Sequence, residues 1–261
     1  MQIAEEWFQP RSAFNASVLR GDIHDMISIF QVCVETGKIP REIVLELNPS
    51  LMWGDKPEDP GPLAPYFHRA LQRYRIFPPL RFVAGYFSVD QVRLNAQRLL
   101  IPGQRYSVDY ITDSYPVLPD GSAGRAPDKA NTTLENFVAV AVANGGDLAN
   151  EIYEWRTTSQ PDEFSLRLFR RFLEDLHSRA IHVTVLLAPV HPVAFDYYTK
   201  RGGYDETWIR REMASRNITI AGSYSPTTTK TAKADFYDDV HPRAHVVRRL
   251  LTEAGVIDPQ R

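Results

Sequence analysis

The 261-residue chain lacks the covalent and metal-based supports that small proteins use. Cys33 is its only cysteine, so the chain forms no internal disulfide and no zinc site built from several cysteines. A chain of this length buries a sizeable core and needs neither support to fold. Cys33 lies in an apolar stretch, where the simplest interpretation is a small buried hydrophobic side chain.

Long apolar runs and strong net charge are also missing. No stretch approaches the roughly 18 consecutive apolar residues that a membrane helix needs, and the N-terminus lacks a basic-then-apolar signal peptide. The formal net charge is −2, which gives no long-range field to attract nucleic acid. Neither Gly-x-Gly-x-x-Gly nor Gly-x-x-x-x-Gly-Lys occurs, which argues against a nucleotide-binding protein. We therefore expect no nucleic-acid partner and no membrane segment in this chain.

Strand and helix patterns alternate along the chain. The apolar spacing predicts strands at residues 13–18, 42–47, 182–188 and 217–222. Helical spacing and stop signals predict helices at 22–35, about 64–75, after 162, at 205–216 and at 242–254. A strand–helix–strand succession implies parallel pairing. The sequence therefore predicts an α/β fold with a mostly parallel sheet.

The stretch from about residue 48 to 143 breaks this alternation. Seven prolines lie between residues 48 and 79. Weaker patterns follow, with helices at 88–100 and 131–143 and a hairpin between 106 and 118. We interpret the stretch as an irregular insertion within a single domain that spans residues 1–261.

The loops after the predicted strands carry the candidate site residues, because ligands of parallel α/β sheets bind beyond the carboxyl strand ends. Gly21 begins a helix, where its N–H can stabilise an oxyanion, although a plain turn glycine also fits. Asn48 can donate a side-chain N–H into the same cleft, or serve as a turn or cap residue. His191 lies near two prolines at a strand end and either lines the cleft or is an ordinary loop histidine.

The loop before the last helix is the most specific of these loops. Asp238 precedes His241 by three residues, so its carboxylate can accept from His241 Nδ1 and leave Nε2 as a general base. A solvated acidic turn explains the same spacing without function. The position of the pair, between the last strand and the last helix, favours the acid/base interpretation.

Taken together, these segments resemble the SGNH/GDSL hydrolase superfamily and are most similar to its bacterial membrane-anchored or secreted branch. The resemblance implies a three-layer α/β/α, flavodoxin-like sheet in strand order 2-1-3-4-5. It implies ester hydrolysis or O-acyl or acetyl transfer on a small-molecule or polysaccharide ester, with no metal and no organic cofactor. By the same resemblance His241 is the base, Asp238 its orienting acid, and Gly21 with Asn48 the oxyanion hole.

The chain departs from the family in two blocks. The family's Gly-x-Asn-Asp is replaced by Glu46, Leu47, Asn48 and Pro49, and proline removes a backbone donor. No Gly-x-Ser occurs anywhere, so the nucleophilic serine is absent from this chain.

The resemblance begins just after the place of that serine, which predicts a missing first strand and either a truncated gene product or a remnant. A membrane anchor or export signal upstream would place the domain outside the cytoplasm. The alternative is a catalytically inactive SGNH-like protein that binds carbohydrate or acyl groups.

Overall fold

The computed structural model describes residues 5–9, 11–16, 22–48, 63–77, 162–200, 202–237 and 240–258. Two of the predicted site residues, Gly21 and Asp238, lie outside these ranges. The helices predicted at 88–100 and 131–143, the hairpin and most of the insertion also lie outside them.

The described residues form six α-helices, three strands and two short 3₁₀ helices, which we number along these ranges. The strands are β1 (Glu42–Glu46), β2 (His182–Leu187) and β3 (Thr219–Gly222). The helices are α1 (Ile23–Glu35), α2 (Ala64–Tyr74), α3 (Glu163–Ser178), α4 (Pro192–Thr199), α5 (Thr207–Ala214) and α6 (Ala244–Glu253). The 3₁₀ helices are Glu5–Phe8 and Lys233–Asp235.

The three strands form one parallel sheet in the order β1-β2-β3. Glu42 is opposite His182 at the amino ends, and Leu187 is opposite Gly222 at the carboxyl ends. Parallel neighbours need a crossover connection, and α5 provides one between β2 and β3. The predicted α/β class with a parallel sheet is therefore confirmed for the described part of the chain.

Both faces of the sheet are covered, because successive side chains of a strand point to opposite sides. In β2, Val183, Val185 and Leu187 join a large buried cluster with side chains from α1 to α5. Leu186 joins a second cluster, which contains Trp7 and the apolar face of α6. Buried side chains of helices therefore cover both faces of the described sheet.

Local sequence signals define α1 clearly. Asp22 caps the helix by accepting from the backbone N–H groups of His24 and Asp25, and the Asp25 side chain accepts from the Asp22 N–H in return. This reciprocal capping box satisfies donors that the first turn leaves open. Gly37 follows the helix with φ of 70°, a left-handed value that favours glycine. The predicted helix at 22–35 is confirmed.

The strand predicted at 13–18 is not seen in the part of it that the structure describes. Residues 12–16 form no strand, and Phe14 is 72% exposed. Short apolar runs carry no reliable period. Just before this run, Arg11 bonds Glu42 at 2.5 Å and the Val256 carbonyl at 2.6 Å.

The last helix begins at Ala244 instead of residue 242, because Pro242 forms an antiparallel bridge with Phe236. The sequence analysis did not predict α4, which has His191 as its N-cap and Pro192 as its first residue. Among the described helices, none has the length and apolar character needed to cross a membrane.

Candidate functional site

Tyr224 joins the loops that follow all three strands. Its hydroxyl donates to the Leu47 carbonyl after β1 at 2.6 Å, and its own carbonyl accepts from the Val190 N–H after β2 at 3.0 Å. The side chain is fully buried, and this burial raises the pKa of the Tyr224 hydroxyl well above its usual value. Tyr224 therefore stays protonated and acts as a donor, so the carboxyl edge of the sheet is held as one unit.

Glu206 holds the loop that carries Tyr224. Its Oε1 accepts from Ser223 Oγ and from the Tyr224 N–H, both at 2.5 Å. Its Oε2 pairs with Arg210, which also donates to the Gly222 carbonyl at 3.1 Å. The Ser223 hydroxyl, buried and bonded to Glu206, also accepts from the Ser225 N–H at 3.1 Å and so is committed to the loop.

Gly222, at the end of β3, permits the close approach of β2. Its φ is +82°, and a Cβ built there lies 2.6 Å from the Leu187 carbonyl oxygen. Both the left-handed conformation and the contact exclude a larger residue. The strand end therefore depends on glycine at this position.

His191 lies in the loop after β2, as the sequence predicts, but its role in the structure is a helix cap. Its Nδ1 accepts from the Val193 N–H at 3.3 Å, and its ring is buried edge-on against Phe236 at 5.5 Å between centroids. A nitrogen that accepts from an amide carries no proton, which places the proton of the neutral ring on Nε2. His191 is thus arranged as a donor, and its ring connects the loop after β2 to Phe236, in the segment before α6.

His241 lies on a short hairpin whose strands meet at the Phe236–Pro242 bridge. The Tyr237 N–H donates to the His241 carbonyl at 2.9 Å, and the Arg243 N–H donates to the Asp235 carbonyl at 2.7 Å. The imidazole is half-buried. Because Asp238 lies outside the described residues, the Asp238–His241 pair stays a prediction.

The structure shows an aspartate–histidine pair that sequence reasoning missed. Asp235 Oδ1 lies 3.1 Å from His245 Nε2, and Asp235 Oδ2 accepts from the Ala232 N–H at 2.8 Å. The bond from Ala232 and the neighbouring His245 hold the pKa of the Asp235 carboxyl below its usual value. The two residues are ten positions apart, at the two ends of the hairpin, and no short motif marks such a pair.

A second missed pair lies at the start of α1. Asp22 Oδ2 is 2.9 Å from His24 Nδ1, and the His24 ring packs edge-on against Phe67 at 4.7 Å. Burial alone would raise the pKa of Asp22, but the bonds from His24 and Asp25 lower it below its usual value. The available signal was the Asp-x-His spacing at a helix cap, next to Gly21.

The structure thus connects the loops that carry three predicted residues. Asn48 directly follows Leu47, whose carbonyl accepts from the Tyr224 hydroxyl. The His191 ring contacts Phe236 of the hairpin. His241 follows Phe236 on the same hairpin. Asn48, His191 and His241 therefore lie on loops that are connected through Tyr224 and Phe236 at the carboxyl edge of the sheet.

Comparison with known proteins gives no match to any family model, to any curated protein or to any solved structure.

Proposed function

We propose that the carboxyl edge of the sheet is the active-site edge of an SGNH-type esterase or O-acyl transferase. The observation that carries the proposal is the Tyr224 connection, which links the loops after β1, β2 and β3 at the edge where parallel α/β sheets bind ligands. The order β1-β2-β3 agrees with three consecutive strands of the flavodoxin-like arrangement. This agreement supports a flavodoxin-like sheet for the whole domain.

In the proposed reaction, His241 Nε2 takes the proton of the attacking hydroxyl as its oxygen bonds to the ester carbonyl carbon. The Gly21 N–H and the Asn48 side chain stabilise the negative charge on the former carbonyl oxygen. Collapse of the tetrahedral intermediate breaks the ester C–O bond, and the leaving alcohol takes the proton from His241. Asp238 keeps the His241 ring oriented through Nδ1.

The proposed reaction also needs a nucleophilic hydroxyl. The family's serine stands in a Gly-x-Ser turn that this chain does not contain. Ser223, the buried serine after β3, has its hydroxyl bonded to Glu206 and is unsuited to attack. These two observations favour the second candidate, a catalytically inactive protein that keeps the cleft and binds acyl or carbohydrate groups.

The experiment compares p-nitrophenyl acetate hydrolysis by the 261-residue chain and by a version extended by the upstream in-frame codons. His241→Gln is made in both. His182→Gln is the matched control, because His182 is exposed at the amino end of β2, opposite to the site. Turnover only in the extended version, lost in His241→Gln, supports the enzyme. No turnover by either folded version supports the binding protein.

A further inference from the structure

We infer that Asp235 and His245 are positioning residues that hold the His241 hairpin in place, a role that rests on the proposed function of His241. Together with Arg243 they form what we call the latch. Each of the three bonds the base of the hairpin or the start of α6. None of them belongs to the Asp238–His241 pair itself.

The contacts of Asp235 converge on the base of the hairpin. Its Oδ2 accepts from the Ala232 N–H at 2.8 Å and thereby closes the 3₁₀ turn that leads into the hairpin. Its carbonyl accepts from the Arg243 N–H at 2.7 Å on the returning strand. Its Oδ1 reaches His245 in the first turn of α6. One residue therefore connects the incoming turn, the returning strand and the last helix.

Arg243 closes the latch from the returning strand. Its Nε donates to the Ala234 carbonyl at 2.8 Å, and its guanidinium lies over the Tyr237 ring at 4.9 Å from the centroid. The Tyr237 N–H in turn donates to the His241 carbonyl. Arg243 thus links the returning strand, to which it belongs, to Ala234 and Tyr237 on the incoming side of the hairpin.

His245 is well placed to support the hairpin and poorly placed to act as the general base. Its Nε2 is held by Asp235, which leaves Nδ1, the nitrogen nearer the backbone, for any other contact. The side chain is 64% exposed, so water competes for the pair and its strength is modest. His245 instead ties the hairpin to α6, whose apolar side chains Val247 and Leu250 pack in the second buried cluster.

This support bears on catalysis because a general base acts only within hydrogen-bond reach of the proton it takes. A displacement of about 1 Å at a catalytic group lowers a rate by about a hundredfold. Phe236 is bridged to Pro242, and His241 lies beside this bridge on the returning strand, where its carbonyl accepts from the Tyr237 N–H. Loss of the latch therefore moves the base more readily than it unfolds the domain.

The first test is amide hydrogen exchange of Tyr237 and Arg243 in the full 261-residue chain. We expect His245→Ala to speed exchange at both amides about two- to fivefold, as a partly exposed pair of this kind provides. His245→Gln restores the donor to Asp235 and should return exchange to the wild-type rate. His177→Ala, at an exposed position in the last turn of α3, is the matched control and should change neither amide.

A second variant keeps the inference testable if His245 contributes little. Asp235→Ala removes the acceptor of the Ala232 N–H as well as the partner of His245, and we expect about a tenfold increase in exchange at Tyr237. Exchange that is unchanged in both His245→Ala and Asp235→Ala overturns the latch. Exchange that rises equally in His245→Ala and His245→Gln also overturns it, because the contact with Asp235 is then not the cause.

Turnover separates the latch from the proposed function. In the upstream-extended version, we expect His245→Ala to lower kcat for p-nitrophenyl acetate with little change in KM, and His245→Gln to restore it. If the exchange responds as stated but no turnover depends on His241, the proposed function fails and the latch stands as the support of the hairpin. If turnover depends on His241 but the exchange does not respond, the latch fails and the function stands.

Discussion

The Tyr224 hydroxyl donates to the Leu47 carbonyl at 2.6 Å, across 177 positions of sequence and the full width of the described sheet. The bond is buried, and β2 lies between the strands that the two residues follow. Burial raises the pKa of Tyr224, so the hydroxyl keeps its proton throughout the physiological pH range. This bond holds the backbone next to Asn48 in place.

Tyr224→Phe should lower the free energy of unfolding by about 1 to 3 kcal/mol, because the buried Leu47 carbonyl loses its donor. Thermal unfolding measures this loss. Amide exchange at Val190, whose N–H bonds the Tyr224 carbonyl, should rise as well. Tyr74→Phe is the comparison: Tyr74 bonds Asp175 between α2 and α3, so its loss should leave Val190 exchange unchanged. Equal stability of Tyr224→Phe and wild type would show that the bond contributes nothing.

Gly222→Ala should destabilise the chain by about 2 kcal/mol or more, since φ of +82° is strained for alanine and the added Cβ meets the Leu187 carbonyl at 2.6 Å. Gly37→Ala is the matched control, because Gly37 has φ of +70° with open space around it. The control should cost about 1 kcal/mol from backbone strain alone. Chemical denaturation of both variants measures the difference. Equal losses would mean that β2 and β3 are not in close contact there.

Asp25 should make the stability of α1 depend on pH. Burial and the neighbouring Asp22 charge raise the pKa of Asp25 above its usual value. The folded state therefore favours the protonated form, and this contribution is lost as pH rises through the folded-state pKa. Asp25→Asn stays neutral and should gain stability relative to wild type as pH rises from 3 to 7, by about 1 to 3 °C in Tm. A difference in Tm that is constant or falls over this range would contradict the prediction.

Glu206→Ala should lower stability by about 2 to 3 kcal/mol, because Ser223 and the Tyr224 N–H lose a charged acceptor in a mostly buried loop. Glu206→Gln keeps an acceptor and loses only the Arg210 pair, so it should cost about 1 kcal/mol. Thermal unfolding of the two variants separates the hydrogen bonds from the ion pair. If Glu206→Gln lowers stability as much as Glu206→Ala does, the stabilisation comes from the ion pair with Arg210 and not from the hydrogen bonds to the loop.

The sequence predicted most of the described fold because its signals are local. The Asp22 cap, the stripe of apolar residues in α3 and the β-branched run of β2 each specify their element within a few residues. The strand predicted at 13–18 does not form at residues 13–16, the part that the structure describes, because a short apolar run specifies no partner and a strand depends on its partner's backbone. The helix α4 was missed because only His191 and Pro192 mark its start.

The candidate site was predictable only in part. The loops with Asn48, His191 and His241 follow from the rule that parallel strands end at one edge. Tyr224 and Leu47 meet through the packing of the whole sheet, and a single sequence carries no record of that contact. Asp235 and His245 pair because the hairpin between them folds back on itself, which the Asp-x-x-His spacing alone does not reveal.

In the proposed function, His241 and not His191 is the base at the carboxyl edge of the sheet. The most direct measurement is kcat/KM for p-nitrophenyl acetate of His241→Gln and His191→Gln, in the 261-residue chain and in its upstream-extended version. We predict that His241→Gln lowers kcat/KM of the extended version by about 10²- to 10⁴-fold without loss of stability. His191→Gln should mainly lower Tm, because His191 is buried and caps α4. Full activity in a folded His241→Gln variant of the extended version would contradict this role of His241.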